Sequence, residues 1–131
     1  MDRVYVLLGA SLIAVGLIVG LTSGLGPSTG YYQKGVASWY GPNFAGNPTA
    51  NGEIFDPGEM TAAHKSLPFD TRVKVVHLGT GNSVVVRIND RGPFIKGRII
   101  DLSRKAAERL GIIGSGTAEV GLKIVEWGNQ S

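Results

Sequence analysis

The chain has 131 residues, with 20 glycines, six prolines and no cysteine. That is room for one domain plus a short appendage, and the missing cysteine excludes disulfides, thiolate zinc sites, a cysteine nucleophile and the thioether attachment of a bacterial lipoprotein. Thirteen Lys and Arg against ten Asp and Glu leave a net charge of +3, which favours anionic polymers and surfaces but lacks the arginine-rich runs and aromatic–basic interleaving of a nucleic-acid binder.

Val4 to Leu21 is an apolar run of 18 residues without a charge, at the lower edge of what spans a bilayer as a helix. Arg3 precedes it and no cation follows until Lys34. The positive-inside rule keeps the amino terminus in the cytoplasm and exports the rest. A signal peptide would be cut near Ser23, Gly24 and Gly26; a signal anchor would stay in the membrane. Both fates remain open. Thr22 to Gly30 reads as a flexible linker. Residues 1–30 are thus signal or anchor plus linker, and residues 31–131 the exported domain.

The domain reads as short strands between turns. Val36–Tyr40 is a first strand, followed by a Gly/Pro/Asn-rich loop from Gly41 to Gly58. Arg72–Val76 alternates charged and apolar residues, as a half-buried strand does. A turn at His77–Asn82 joins it to Ser83–Ile88, giving a hairpin. Arg98–Leu102 is another strand. Ser103 is a good helix N-cap, Ala106, Ala107 and Leu110 give one apolar face, and Gly111 is a natural stop. Val120, Leu122 and Ile124 mark a last strand. Strands dominate, and a small closed barrel buries them without free edges.

Three clusters carry chemistry. Thr49–Asp56 holds Glu53 and Asp56 in a loop beside aromatics. Paired carboxylates suit glycosidic cleavage, where one protonates the leaving oxygen and negative charge steadies the oxocarbenium-like carbon. Thr61–His64 offers an imidazole that can orient a carboxylate or move a proton. Ile88–Phe94 runs an apolar strand into Asp90, with Arg91 beside it to bind an anion or favour the carboxylate. Taken alone, each cluster also fits solvated acids, a structural histidine and a capped turn. Asp101, just before the Ser103 cap, reads as a structural hydrogen-bonder. No metal-ligand spacing, phosphate-cradling glycine motif or nucleophile elbow is present, so no metal or cofactor is expected.

Six motifs in order, Gly35–Gly41, Thr49–Glu53, Thr61–His64, Leu67–Phe69, Asn89–Phe94 and Arg98–Ser103, resemble the catalytic domain of the rare lipoprotein A (RlpA) family. The resemblance implies a mainly β fold, a six-stranded double-ψ β-barrel with one or two short helices, preceded here by the amino-terminal hydrophobic helix. It implies an endolytic lytic transglycosylase. Such an enzyme cleaves the β-1,4 bond between N-acetylmuramic acid and N-acetylglucosamine without water, leaving a 1,6-anhydro ring.

By the same resemblance Asp90, Glu53 and His64 are the catalytic positions, with Asp90 as acid/base, Glu53 as second carboxylate and His64 orienting one of them. The two carboxylates can trade roles. Asp56, Trp39, Tyr40, Arg91, Phe94 and Asn51 are expected to contact substrate. Peptidoglycan glycan strands are the implied partner, the membrane is met only through residues 4–21, and a monomer in the cell envelope is expected. Two rivals share the barrel: an expansin-like module that loosens wall polymers without cutting them, and a hydrolase using the same acids. The chain departs from many family members in having no lipidated cysteine and no carboxy-terminal peptidoglycan-binding module.

Overall fold

A computed structural model describes residues 30–129. The apolar helix expected over residues 4–21 lies outside the described residues. The strands are β1 (Gln33–Trp39), β2 (Thr61–His64), β3 (Arg72–His77), β4 (Ser83–Asp90), β5 (Arg98–Leu102) and β6 (Ala118–Glu126). One helix, α1 (Arg104–Leu110), follows β5, and a 3-10 turn, Pro42–Phe44, follows β1.

The strands close into a barrel in the order β1-β5-β2-β4-β3-β6. Closure leaves no strand edge unpaired. Two pairs are parallel, β1 with β5 and β2 with β4; the other four are antiparallel. This is the six-stranded double-ψ barrel that the resemblance implies.

Alternation builds the core. In β4 the inward Val84, Val86 and Ile88 are buried while Val85 is exposed, and in β3 the inward Val73 and Val75 are wholly buried. Leu67, Ile100, Leu102, Val120 and Leu122 fill the remaining space. Burying such a side chain contributes about 1.5–3 kcal/mol.

Helix α1 is too short to hold itself together in water. Its ends and one face do so instead. Ser103 Oγ accepts from the Ala106 N–H at 3.2 Å. Gly111, at φ +87°, takes the left-handed turn that a side chain resists and donates to Ala107 O at 2.9 Å. Ala106, Ala107 and Leu110 are fully buried.

The hairpin, the helix and the strands at Arg98–Leu102 and around Val120–Ile124 stand where the sequence predicts them. Two features differ. The first strand begins at Gln33 rather than Val36, because Gln33, Lys34 and Gly35 pair with Leu122, Gly121 and Val120. Thr61–His64, read only as a chemical cluster, is itself a strand, buried at all four positions. With both faces covered it shows no alternation to read.

Candidate active site

The pleat of the barrel sets a core row beside a groove row. Ala62, Ile88 and Leu102 point inward and are wholly buried. Across β2, Ala62 pairs with both Ile88 and Leu102. One step along, the register with β4 shifts, so that Asp90 rather than Asn89 stands opposite Ala63. Such an extra residue re-aims a side chain, a device common beside active sites. Ala63 also pairs with Asp101, which in turn pairs with Ser38. The row Ser38, Asp101, Ala63, Asp90 thus crosses β1, β5, β2 and β4 in order and lines one groove of about 440 Å³. That size lies within the roughly 300–1,000 Å³ usual for ligand sites. Trp39, Tyr40, Arg91, Phe94 and Arg98 also line it.

Asp90 is held by three donors. Its Oδ2 accepts from the Tyr40 hydroxyl at 2.6 Å, and its Oδ1 from the N–H groups of Ala50 at 2.8 Å and Arg91 at 2.9 Å. Asp101 Oδ1 accepts from the Ser38 hydroxyl. Burial pushes the Tyr40 phenol far above its ordinary value, helped by its bond to Asp90 and by the charges of Asp90 and Asp101. Tyr40 therefore remains a proton donor at any physiological pH. Its ring stacks on Phe55 at 4.3 Å, and Phe44 meets its edge at 5.5 Å.

Glu53 stands outside the groove lining. Its carboxylate accepts from Nη1 and Nη2 of Arg87, at 2.7 and 2.9 Å, and from the side-chain amides of Asn51 at 2.9 Å and Asn89 at 3.1 Å. Arg87 holds the Glu53 carboxyl down at about 2, with Asn89 and Asn51 adding to it against burial. The carboxylate has both oxygens occupied by these donors. It fastens the Thr49–Glu53 turn to β4, where Asn51 N–H also donates to Asn89 O at 3.3 Å. The same turn presents Ala50 N–H to Asp90.

His64 is buried and lies outside the groove lining. Its Nδ1 accepts from the N–H groups of Ser66 and Leu67, both at 3.1 Å, so Nε2 carries the proton toward Gln33 Oε1 at 2.8 Å. Burial, then the charges of Arg91 and Lys65, lower it to about 4 and keep it neutral. Its carbonyl accepts from Arg91 Nη1 at 3.2 Å. Arg91 also lies 3.9 Å over the Phe69 ring.

Of the other residues singled out in the sequence, Trp39, Tyr40, Arg91 and Phe94 reach the groove. Phe94 is 78% exposed on its rim. Asn51 serves the Glu53 clamp. Asp56 folds back on Gly58 N–H at 2.8 Å and stays outside the groove lining. The sequence pairs Asp90 with Glu53; in the structure the second acid of the groove is Asp101. The one available signal is that Asp101, like Asp90, stands near the end of a strand rich in β-branched residues.

Fold and groove together define a double-ψ β-barrel carrying a carboxylate pair on its outer face. The chain belongs to the lytic transglycolase family, whose model matches residues 32–122. It is 62% identical over 94 residues to a probable endolytic peptidoglycan transglycosylase RlpA of Synechocystis sp., covering 72% of this chain and 29% of that protein. It is 48% identical over 104 residues to the endolytic peptidoglycan transglycosylase RlpA of Campylobacter jejuni, covering 79% and 38%. The chain spans about a third of the length of these curated relatives. Among solved structures, a Streptomyces papain inhibitor superposes with a TM-score of 0.59 at 21% identity, over 73% of this chain and 97% of that one. An expansin of Clavibacter michiganensis gives 0.55 at 22%, over 71% and 50%. At such identities these two share the fold alone.

Proposed function

We propose that the domain is an endolytic lytic transglycosylase of peptidoglycan, with the Asp90–Asp101 groove as its active site. The observation that carries this reading is the pair of carboxylates facing one open groove on either side of Ala63. The names of the relatives supply the substrate class.

The reaction needs one carboxylic acid to protonate the glycosidic oxygen as its bond to C1 of the muramic residue breaks. The C6 hydroxyl of that residue then attacks C1, and the same carboxylate removes its proton. The second carboxylate faces the positive charge on the sugar. Asp90 remains an acceptor throughout, because its oxygens already take three donors. Asp101 takes one, from Ser38, and is the acid/base. Glu53 and His64 act from outside the groove, as positioning residues for the Ala50 and Arg91 N–H groups on Asp90. Trp39 and the rim residue Phe94 offer faces to the sugars. The enzyme works in the cell envelope, exported through residues 4–21, with residues 31–131 as its catalytic domain.

Product analysis on purified glycan strands tests this reading. The expected products carry 1,6-anhydro ends. Reducing ends mark a hydrolase on the same groove, and binding without products marks a wall-loosening module; either overturns the proposal.

A further inference from the structure

We infer that Arg98 is the receptor for a substrate carboxylate in the Asp90–Asp101 groove. This rests on the groove being the glycan site. Every other charged side chain lining the groove is already engaged. Asp90 has Tyr40, Ala50 and Arg91; Asp101 has Ser38; Arg91 lies on Phe69 and donates to His64 O. Arg98 is half-buried at the start of β5 and lines the same groove, yet its guanidinium donates no hydrogen bond and makes no ion pair among the described residues.

Its main chain is the opposite case. The N–H donates to Ile95 O at 3.0 Å and the carbonyl accepts from Lys65 Nζ at 3.4 Å. The backbone is pinned, and the residue lines the groove with its charged head unpaired among the described residues. A partly desolvated charge is costly unless an anion meets it. The planar guanidinium fork fits a carboxylate with two parallel bonds.

The substrate proposed above carries that group in two places. Each muramic residue has a lactyl carboxyl, free when the peptide is absent and amidated when it is present. Stem peptides carry carboxyls of their own. N-acetylglucosamine has none. Arg98 stands three residues from Asp101 along β5, a rise of about 10 Å. An unpaired cation at that end of the groove, with Arg91 already engaged, fixes which sugar lies there. It sets the muramic residue in register, and with it the choice of bond.

Binding to the full chain in mild detergent tests this, with Asp90→Asn present throughout to stop turnover. The probes are peptide-free glycan, the same glycan after carboxyl reduction, and peptide-bearing glycan. Arg98→Gln is expected to weaken peptide-free binding about 10- to 100-fold, the value of a hydrogen bond to a charged group. It should leave the reduced glycan unchanged, and Arg98→Lys should recover part of the loss. A loss confined to peptide-bearing glycan assigns the carboxylate to the stem. Salt dependence of the parent protein on native against reduced glycan reads the same contact without touching Arg98. Equal affinities on all three probes, or an equal loss on reduced glycan, overturns the inference. Anhydro ends are scored separately with the wild-type chain. Their absence, with carboxylate-dependent binding intact, sinks the reaction and leaves the receptor standing.

Discussion

Asp90 and Asp101 face the same residue: Ala63 is the ladder partner of Asp90 through the parallel β2–β4 pairing and of Asp101 through the antiparallel β2–β5 pairing. Two strand spacings place their backbones about 10 Å apart, with only a methyl group between the two acids. A larger side chain there fills the floor of the groove. Ala63→Leu is therefore expected to lower kcat/KM on glycan at least tenfold. Crowding at this buried position costs about 1–3 kcal/mol of stability. Turnover assays and urea unfolding on the same preparations read the two effects apart.

Tyr40 ties Asp90 to the barrel wall. Tyr40→Phe removes one of three donors and leaves the Phe55 stacking in place. A hydrogen bond to a charged group is worth about 1.5–3 kcal/mol, so activity should fall about 10- to 100-fold with little change in Tm. Because the phenol stays protonated far beyond its ordinary range, the alkaline limb of the wild-type rate profile should show no tyrosine ionisation up to pH 10. A limb that vanishes in Tyr40→Phe contradicts this.

Glu53 is a test of clamp against catalyst. Its folded-state value of about 2 lies below the ordinary 4.5. Its contribution to stability is therefore complete above pH 4.5 and is lost as the pH falls through about 2. Thermal melts should show wild type losing its advantage over Glu53→Gln across that window. At neutral pH the variant should be less stable by about 1–2 kcal/mol and should keep more activity than either aspartate variant. Arg87→Gln should behave like Glu53→Gln, since the two share one ion pair.

His64 gives a second pH window. Its folded value of about 4 lies below the ordinary 6.5. Between those values the unfolded chain binds the proton and the folded chain does not, so stability falls as the pH drops from 6.5 to 4. The stability gap between wild type and His64→Gln should narrow over the same range. Equilibrium unfolding at pH 7 and pH 4 measures it. A constant gap would show that the imidazole is not buried neutral.

Much of the barrel is legible in the sequence because its signals are local. Ser103, the Ala106–Leu110 spacing and Gly111 specify α1 within nine residues. The Arg72–Ile88 hairpin declares itself by alternation and a Gly-rich turn. What is hidden is register between distant strands. Asp101 lies 63 residues from Ser38 and Arg87 lies 34 from Glu53, and no periodicity reports that these side chains meet. Glu53 resembles a catalytic acid from its loop, and only the fold supplies the guanidinium that occupies it. His64 sits in a strand buried on both faces, where its surroundings are set by β1, β4 and β5 together.

The most direct test compares anhydro-end release, by mass spectrometry of digested glycan, for wild type, Asp90→Asn, Asp101→Asn and Glu53→Gln. Loss of acid/base work costs about 10²- to 10⁴-fold, and Asp101→Asn should fall that far while remaining folded; Asp90→Asn, which removes the charge facing the sugar, should fall about 10²- to 10³-fold. Glu53→Gln should fall less. Wild-type rates from a folded Asp90→Asn or Asp101→Asn protein would contradict the account.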